Sequence, residues 1–159
     1  MIIGIPKEIM HDERRVSATP DVCGRYISLG HTVLVEHDAG EGAYFHDEQY
    51  AAAGAQVVPG AGDVYERADL ILKVKEPLLN EQTGLHEVDM MRPGQVLICF
   101  IHPAAPANHQ MVKDLAKRGI TALTLDGVPR ISRAQSMDAL TSMSTCAGYK
   151  GVLMGANLL

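Results

Sequence analysis

Short apolar runs recur along the chain, separated by charged or glycine-bearing stretches. The runs at 2–6 (IIGIP), 32–36 (TVLVE), 55–58 (AQVV), 70–74 (LILKV), 95–101 (QVLICFI) and 121–126 (TALTLD) predict six strands. Several are apolar at nearly every position, the pattern of strands covered on both faces. The stretches between them predict helices. Thr19 and Pro20 supply an N-cap and a first helical residue, and Gly30 closes that helix. Asp47 is expected to open a second in the same way, ending at Gly54. A third follows Gly60 and Gly62. Residues 78–93 carry the poorest helical pattern but are expected to be helical. Asn108 is expected to cap a further helix, with basic residues in its last turn and Gly119 at its end.

Strand and helix alternating in this way predict an α/β fold with a doubly wound, mostly parallel sheet. Right-handed crossovers favour the strand order 3-2-1-4-5-6. The chain then ends in a long helix. Its positions Ser144, Gly148, Gly151 and Gly155 fall on one face. Each mid-helix glycine costs about 1 kcal/mol relative to alanine, so the seam predicts a closely packed partner. Residues 1–136 are read as the α/β domain and 137–159 as a connector towards a further domain. Leu153, Met154, Leu158 and Leu159 beside the seam predict self-association.

Composition narrows the function. The 159 residues are 47% apolar and 21% charged, enough for a core, and the net charge of −5 with no Lys/Arg run argues against nucleic acid as a partner. No apolar run approaches about 18 residues, and the start MIIGIPKE does not read as a signal peptide. Cys23, Cys99 and Cys146 form no CxxC and read as reduced thiols. The seven histidines contain no HxxxH pair, so no metal site is expected.

Ligands of doubly wound sheets bind beyond the carboxyl ends of the strands, where the winding reverses. Three side chains fall there: Arg15 after strand 1, Lys75 after strand 4 and His102 after strand 5. Pro77 and Pro103 are expected to hold Glu76 and His102 extended. A guanidinium grips a carboxylate at two points, a lysine adds positive charge, and a histidine moves a proton near neutral pH. Together they suit a small 2-oxo acid. A complete GxGxxG is missing, as is the acidic residue that would hold a ribose. Gly40-Glu41-Gly42 reads as a turn, and Gly60 with Gly62 lacks the third glycine. Tight dinucleotide binding by this chain alone is therefore not expected.

The segments IGIPKE, RRVSATP, GHTVLVEHDAGEGA, AAAGAQVV, ADLILKVKEP and VPRISRAQSMDAL resemble the N-terminal part of the alanine dehydrogenase and nicotinamide nucleotide transhydrogenase family, over essentially the whole chain. PRISRAQSMDAL points to the transhydrogenase alpha-subunit branch. That resemblance implies hydride transfer from NADH to NADP⁺ coupled to proton translocation. It implies that Arg130, Gln135, Asp138 and Thr141 meet the nicotinamide end of NAD(H), which the next domain mainly binds, and that NADP(H) sits on a beta-subunit partner. It also implies a homodimer on the cytoplasmic side of the inner membrane, peripheral through that partner. Arg15, Lys75 and His102 match instead the residues with which alanine dehydrogenases handle pyruvate, so the alternatives are an alanine dehydrogenase domain or a non-catalytic dimerising fragment. The NAD-binding domain is expected to follow residue 159, and this chain alone to be inactive.

Overall fold

The computed structural model describes residues 1–81 and 83–158. Contacts divide the chain into two compact units, Met1–Leu123 and Thr124–Leu159. The first is built on β1 (Ile2–Ile5), β2 (Thr32–Glu36), β3 (Gln56–Val58), β4 (Leu70–Leu72), β7 (Val96–Cys99) and β8 (Thr121–Thr124), hydrogen-bonded in the order β3-β2-β1-β4-β7-β8. Counting only these six, the order is 3-2-1-4-5-6, as the alternation predicted. β1 lies parallel to β2 and β4, and β4 parallel to β7. The winding reverses between β1 and β4.

Side-chain alternation divides the core between the two faces of the sheet. On β2, Val33 and Val35 join Ile3, Ile5, Cys23 and Tyr50, whereas Leu34 joins Val64, Ile71, Leu97 and Met111. The first face is covered by α1 (Pro20–Ser28) and α2 (Asp47–Ala52), the second by α3 (Ala61–Arg67), α4 (Glu87–Met90) and α5 (His109–Lys117). Both faces being covered explains why the strands are so uniformly apolar.

Local chemistry accounts for the helix ends. The Thr19 hydroxyl accepts from the Val22 amide at 3.4 Å, and Gly30 turns the chain out of α1 at φ 85°. The α2 cap lies one residue earlier than expected, at His46, whose amide donates to Gln49 Oε1 at 2.7 Å. Asn108 stands at the N-cap position of α5 as expected, but its side chain makes no capping bond. Its amide donates instead to the Ile101 carbonyl at 2.9 Å, bracing the turn after β7. Residues 78–93 are not one helix. The segment forms a small hairpin, β5 (Leu79–Asn80) with β6 (Leu85–His86), and then the four-residue α4. The Glu87 carboxylate explains this, because it accepts from the Leu78 amide at 2.9 Å and pins the base of the hairpin.

The second unit runs from a loop into α6 (Ala139–Ala156), two residues shorter at each end than the predicted 137–158. A Cβ built on Gly148, Gly151 or Gly155 would meet nothing within 4 Å, so the seam faces open space. Tyr149, Val152, Leu153, Met154 and Leu158 are exposed, and Leu159 lies outside the described residues. Among the described residues no helix is long and apolar enough to cross a membrane.

Gly4 lets α3 lie against β1. A Cβ there would stand 2.6 Å from Val64 Cγ1 and 2.7 Å from Ala68 Cβ. Gly4→Ala is expected to destabilise the chain by about 1–3 kcal/mol through overpacking. Urea denaturation measures it, and an unchanged midpoint would refute the close packing.

Candidate functional site at the carboxyl ends of β1, β4 and β7

The ladder between β4 and β7 continues past the strand ends, with the Lys73 amide on the Ile98 carbonyl at 3.0 Å and the Phe100 amide on Val74 at 3.1 Å. Lys75 therefore follows the last bonded residue of one chain segment, and His102 stands two residues past that of its neighbour. The loop leaving β1 folds back over β4, because the Ser17 hydroxyl donates to the Leu72 carbonyl at 2.8 Å. Arg15 lies two residues before that anchor.

Beneath this surface sits a charged group that the sequence reading did not single out. The Lys73 side chain has 0% of its surface exposed, and its ammonium lies 2.8 Å from Glu87 Oε1 and 3.3 Å from Glu8 Oε2. Burial alone would push the Lys73 pKa down, but the Glu87 and Glu8 carboxylates reverse this and hold it above the usual value. The Tyr65 hydroxyl donates to Glu87 Oε1 at 2.8 Å. Glu8 accepts from the amides of Val74 at 2.6 Å and Lys75 at 3.4 Å, which ties the loop after β1 to the end of β4. Burial raises the Glu8 pKa, and Lys73 and the Val74 amide offset this only in part. The available signal was a lysine inside LILKV. A lysine in a strand buried on both faces requires a carboxylate partner.

Above this layer, Arg15 grips Glu13 at two points: Nε to Oε1 at 2.8 Å and Nη2 to Oε2 at 2.5 Å. The Glu13 carboxyl is held below its usual pKa, first by that hydrogen bond and also by the charges of Arg15 and Lys75. Arg15 and Lys75 thus act on one carboxylate, as a shared anion site requires. His102 stands one strand further along. Its ring stacks on Phe100 with centroids 5.9 Å apart and planes 12° apart. The expectation that Pro103 holds His102 extended is wrong, because His102 has φ 48°. A non-glycine residue in the left-handed region costs roughly 1–3 kcal/mol and persists where its surroundings impose it. Here bonds from the Ala105 amide at 3.0 Å and Asn108 Nδ2 at 3.4 Å hold its carbonyl.

Gly40-Glu41-Gly42 is a turn, as expected. A Cβ on Gly42 would stand 2.8 Å from the Arg14 carbonyl oxygen, so the turn packs directly on the Arg14–Arg15 backbone. β2 ends on an acidic residue, Glu36. Its carboxylate accepts from the Lys7 amide at 2.8 Å and from the Ala61 amide, so it serves the domain's own backbone. The buried thiols of Cys99 and Cys23 are pushed up to about 12 and about 11 by desolvation, which suits packing rather than chemistry. His37 lies between two carboxylates, Nδ1 2.5 Å from Asp47 and Nε2 3.4 Å from Asp38. The hydrogen bond to Asp47 and the charge of Asp38 raise its pKa, the environment of an imidazolium.

In the second unit Asp138 is the N-cap of α6, accepting from the Leu140 amide at 3.0 Å and the Thr141 amide at 3.3 Å. The Thr141 hydroxyl donates to its other oxygen at 2.5 Å, and Arg130 Nε lies 4.0 Å from it. Gln135 opens a short 3-10 turn and is exposed. Asp138 thus gathers Arg130 and Thr141 at the start of the helix.

A family model described as alanine dehydrogenase/PNT, N-terminal domain, matches residues 4–147. The NAD(P) transhydrogenase subunit alpha of Cereibacter sphaeroides is 44% identical over 99% of the chain, which spans 28% of that protein. The crystal structure of a transhydrogenase from Sinorhizobium meliloti superposes with a TM-score of 0.87 at 37% identity, covering 99% of this chain and 44% of that one. An L-alanine dehydrogenase structure superposes at 0.85 with 39% identity, over 99% and 40% respectively. The chain spans less than half the length of each.

Lys73→Met would leave Glu8 and Glu87 buried without their cation. It is expected to cost about 3–5 kcal/mol at neutral pH. A carboxyl with a raised folded pKa favours folding most below its unfolded value, and loses that contribution as pH rises through the folded one. The deficit relative to wild type should therefore shrink between neutral pH and pH ~5. Urea unfolding at both pH values measures it, and a pH-independent deficit would refute the assignment.

Proposed function

Because the chain belongs to the alanine dehydrogenase/PNT N-terminal domain family, we propose that it acts as the N-terminal domain of an NAD(P) transhydrogenase alpha subunit. The relatives it matches are oxidoreductases of two activities, and the loop at 130–141 favours the first. The observation that carries this reading is Asp138. It caps α6 while holding Thr141 and facing Arg130, with the exposed Gln135 three residues before it in the 3-10 turn that leads into the helix. Such a group of donors and acceptors fits the polar end of a nicotinamide better than a phosphate.

The carboxyl ends of β1 and β4 do not fit a dinucleotide pyrophosphate. Glu8 and Glu13 are acidic, and Glu8 already takes the amides of Val74 and Lys75. In this reading NAD(H), held mainly by a following domain, supplies the hydride. Arg130 and Gln135 orient the nicotinamide end, Asp138 positions Arg130, and Thr141 holds Asp138. NADP(H) belongs to a beta-subunit partner, which also makes the chain peripheral to the membrane and cytoplasmic in exposure. The exposed apolar side chains of α6 support homodimerisation. Hydride transfer coupled to proton translocation is a property of the whole assembly.

A second reading has its own observation. Arg15 and Lys75 bear on one carboxylate, and His102 is strained on the neighbouring strand end. As an alanine dehydrogenase domain, the chain would hold pyruvate with Arg15 and Lys75, and His102 would act as general acid/base on the oxygen or nitrogen attached to the substrate's C2, the hydride at C2 coming from NADH.

Two measurements test the first reading. The 159-residue chain alone should give no measurable heat on NADH titration, and a low-micromolar dissociation constant would refute that. In a protein that also carries the NAD-binding domain, Arg130→Ala and Gln135→Ala should each slow single-turnover hydride transfer by about tenfold or more while NADH affinity changes little, since groups that orient the reacting end act on the transfer step. Unchanged transfer in both variants would leave the alanine dehydrogenase reading.

A further inference from the structure

We propose that Glu13 is a built-in competitor at the crevice between β1 and β4, so that a 2-oxo acid binds by displacing the Glu13 carboxylate from Arg15. This rests on the oxo-acid reading and adds to it a residue that sets the site's affinity.

Three observations carry the inference. First, the Arg15 guanidinium uses Nε and Nη2 on the two Glu13 oxygens, the planar two-point grip with which an arginine takes a substrate carboxylate. Second, only 6% of the Glu13 side-chain surface is exposed, against 87% for Asp12 on the same loop. An acidic side chain on a surface loop is drawn inward like this only when cations receive it. Third, Lys75 also bears on Glu13, so the carboxylate lies under the influence of both cations that the site would offer a ligand. Glu13 therefore occupies the electrostatic place of a bound carboxylate.

The loop can release this side chain without refolding. Its backbone is fixed from two sides, by Ser17 on Leu72 and by the packing of Gly42 on Arg14. An incoming carboxylate replaces the two bonds that the Arg15 side chain makes to Glu13, and the Glu13 carboxylate turns to water. No covalent change is involved. The exchange lowers apparent affinity by the strength of the resident pair, and it excludes ligands that lack a carboxylate to replace it.

The test uses pyruvate as the probe, titrated into the 159-residue chain and followed by calorimetry or by NMR. Glu13→Gln retains an oxygen for the Arg15 amide, which now bonds Oε1 at 2.9 Å, but loses the charge. It should bind pyruvate about fivefold to tenfold more tightly than wild type, the scale of a partly exposed ion pair. Glu13→Ala should shift affinity in the same direction, and thermal melts establish that each variant is folded. Asp12→Asn removes an equal charge from the same loop and should change affinity little. Arg15→Ala should abolish binding. If Glu13→Gln and Glu13→Ala bind equally or more weakly than wild type, or if Asp12→Asn tightens binding as much, the competitor role is overturned while the oxo-acid reading stands. If wild type and both Glu13 variants show no pyruvate binding at tens of millimolar, the oxo-acid reading itself falls.

Discussion

The Lys73 ammonium, enclosed between Glu8 and Glu87, is the interaction on which the rest of this architecture depends. A buried cation is tolerated only when carboxylates meet it closely, and each of these two does a second task. Glu8 carries the loop after β1 onto the amides at the end of β4. Glu87 fixes the hairpin that follows β4 through the Leu78 amide. One lysine thereby sets the geometry of the two segments that flank the point where the winding reverses. Arg15 and Lys75 are carried by those segments, so their mutual placement is inherited from a group that lies below them.

The layering gives the crevice its chemical character. Below, two carboxylates share one cation, and burial first of all, with the neighbouring Glu87 charge, raises the Glu8 pKa. Above, Arg15 and Lys75 outnumber Glu13, whose pKa falls. Charge alternates from interior to surface, and the excess of cations lies in the outer layer. A pyrophosphate has little to gain there. Its donors in dinucleotide-binding sheets are free backbone amides of a glycine-rich turn, whereas here the amides at the end of β4 already serve Glu8, and the Lys7 and Ala61 amides serve Glu36.

Much of the fold was legible because burial on both faces leaves an unmistakable apolar run. All six main strands fall within the predicted segments, and Thr19-Pro20 announced α1 by local chemistry alone. The errors have a common origin in long-range contacts. Residues 78–93 form a hairpin because Glu87 is drawn to Lys73 and Leu78, and neither partner is visible in a local window. Asn108 takes the N-cap position, but its side chain bonds Ile101 rather than the helix. The bend at His102 defeats the usual effect of a following proline because its carbonyl is held from Ala105 and Asn108. In the site, strand-end position pointed to Arg15, Lys75 and His102 and to the charged loop that carries Glu13, yet it did not show that Glu13 pairs with Arg15 or that Glu8 and Glu87 pair with Lys73 through space.

The two residue sets singled out in the sequence fall in different compact units. Arg15, Lys75 and His102 belong to Met1–Leu123, whereas Arg130, Gln135, Asp138 and Thr141 belong to Thr124–Leu159. The first set is held by the sheet and its buried ion pairs. The second is held by one N-cap, with Asp138 bonding Leu140 and Thr141. An N-cap is a local device, so what the start of α6 presents is set by residues 130–141 themselves. On the two readings proposed above, the strand ends and the helix start would serve different ligands, each held by its own local bonds. The coexistence of both residue sets in one sequence then requires no compromise between them.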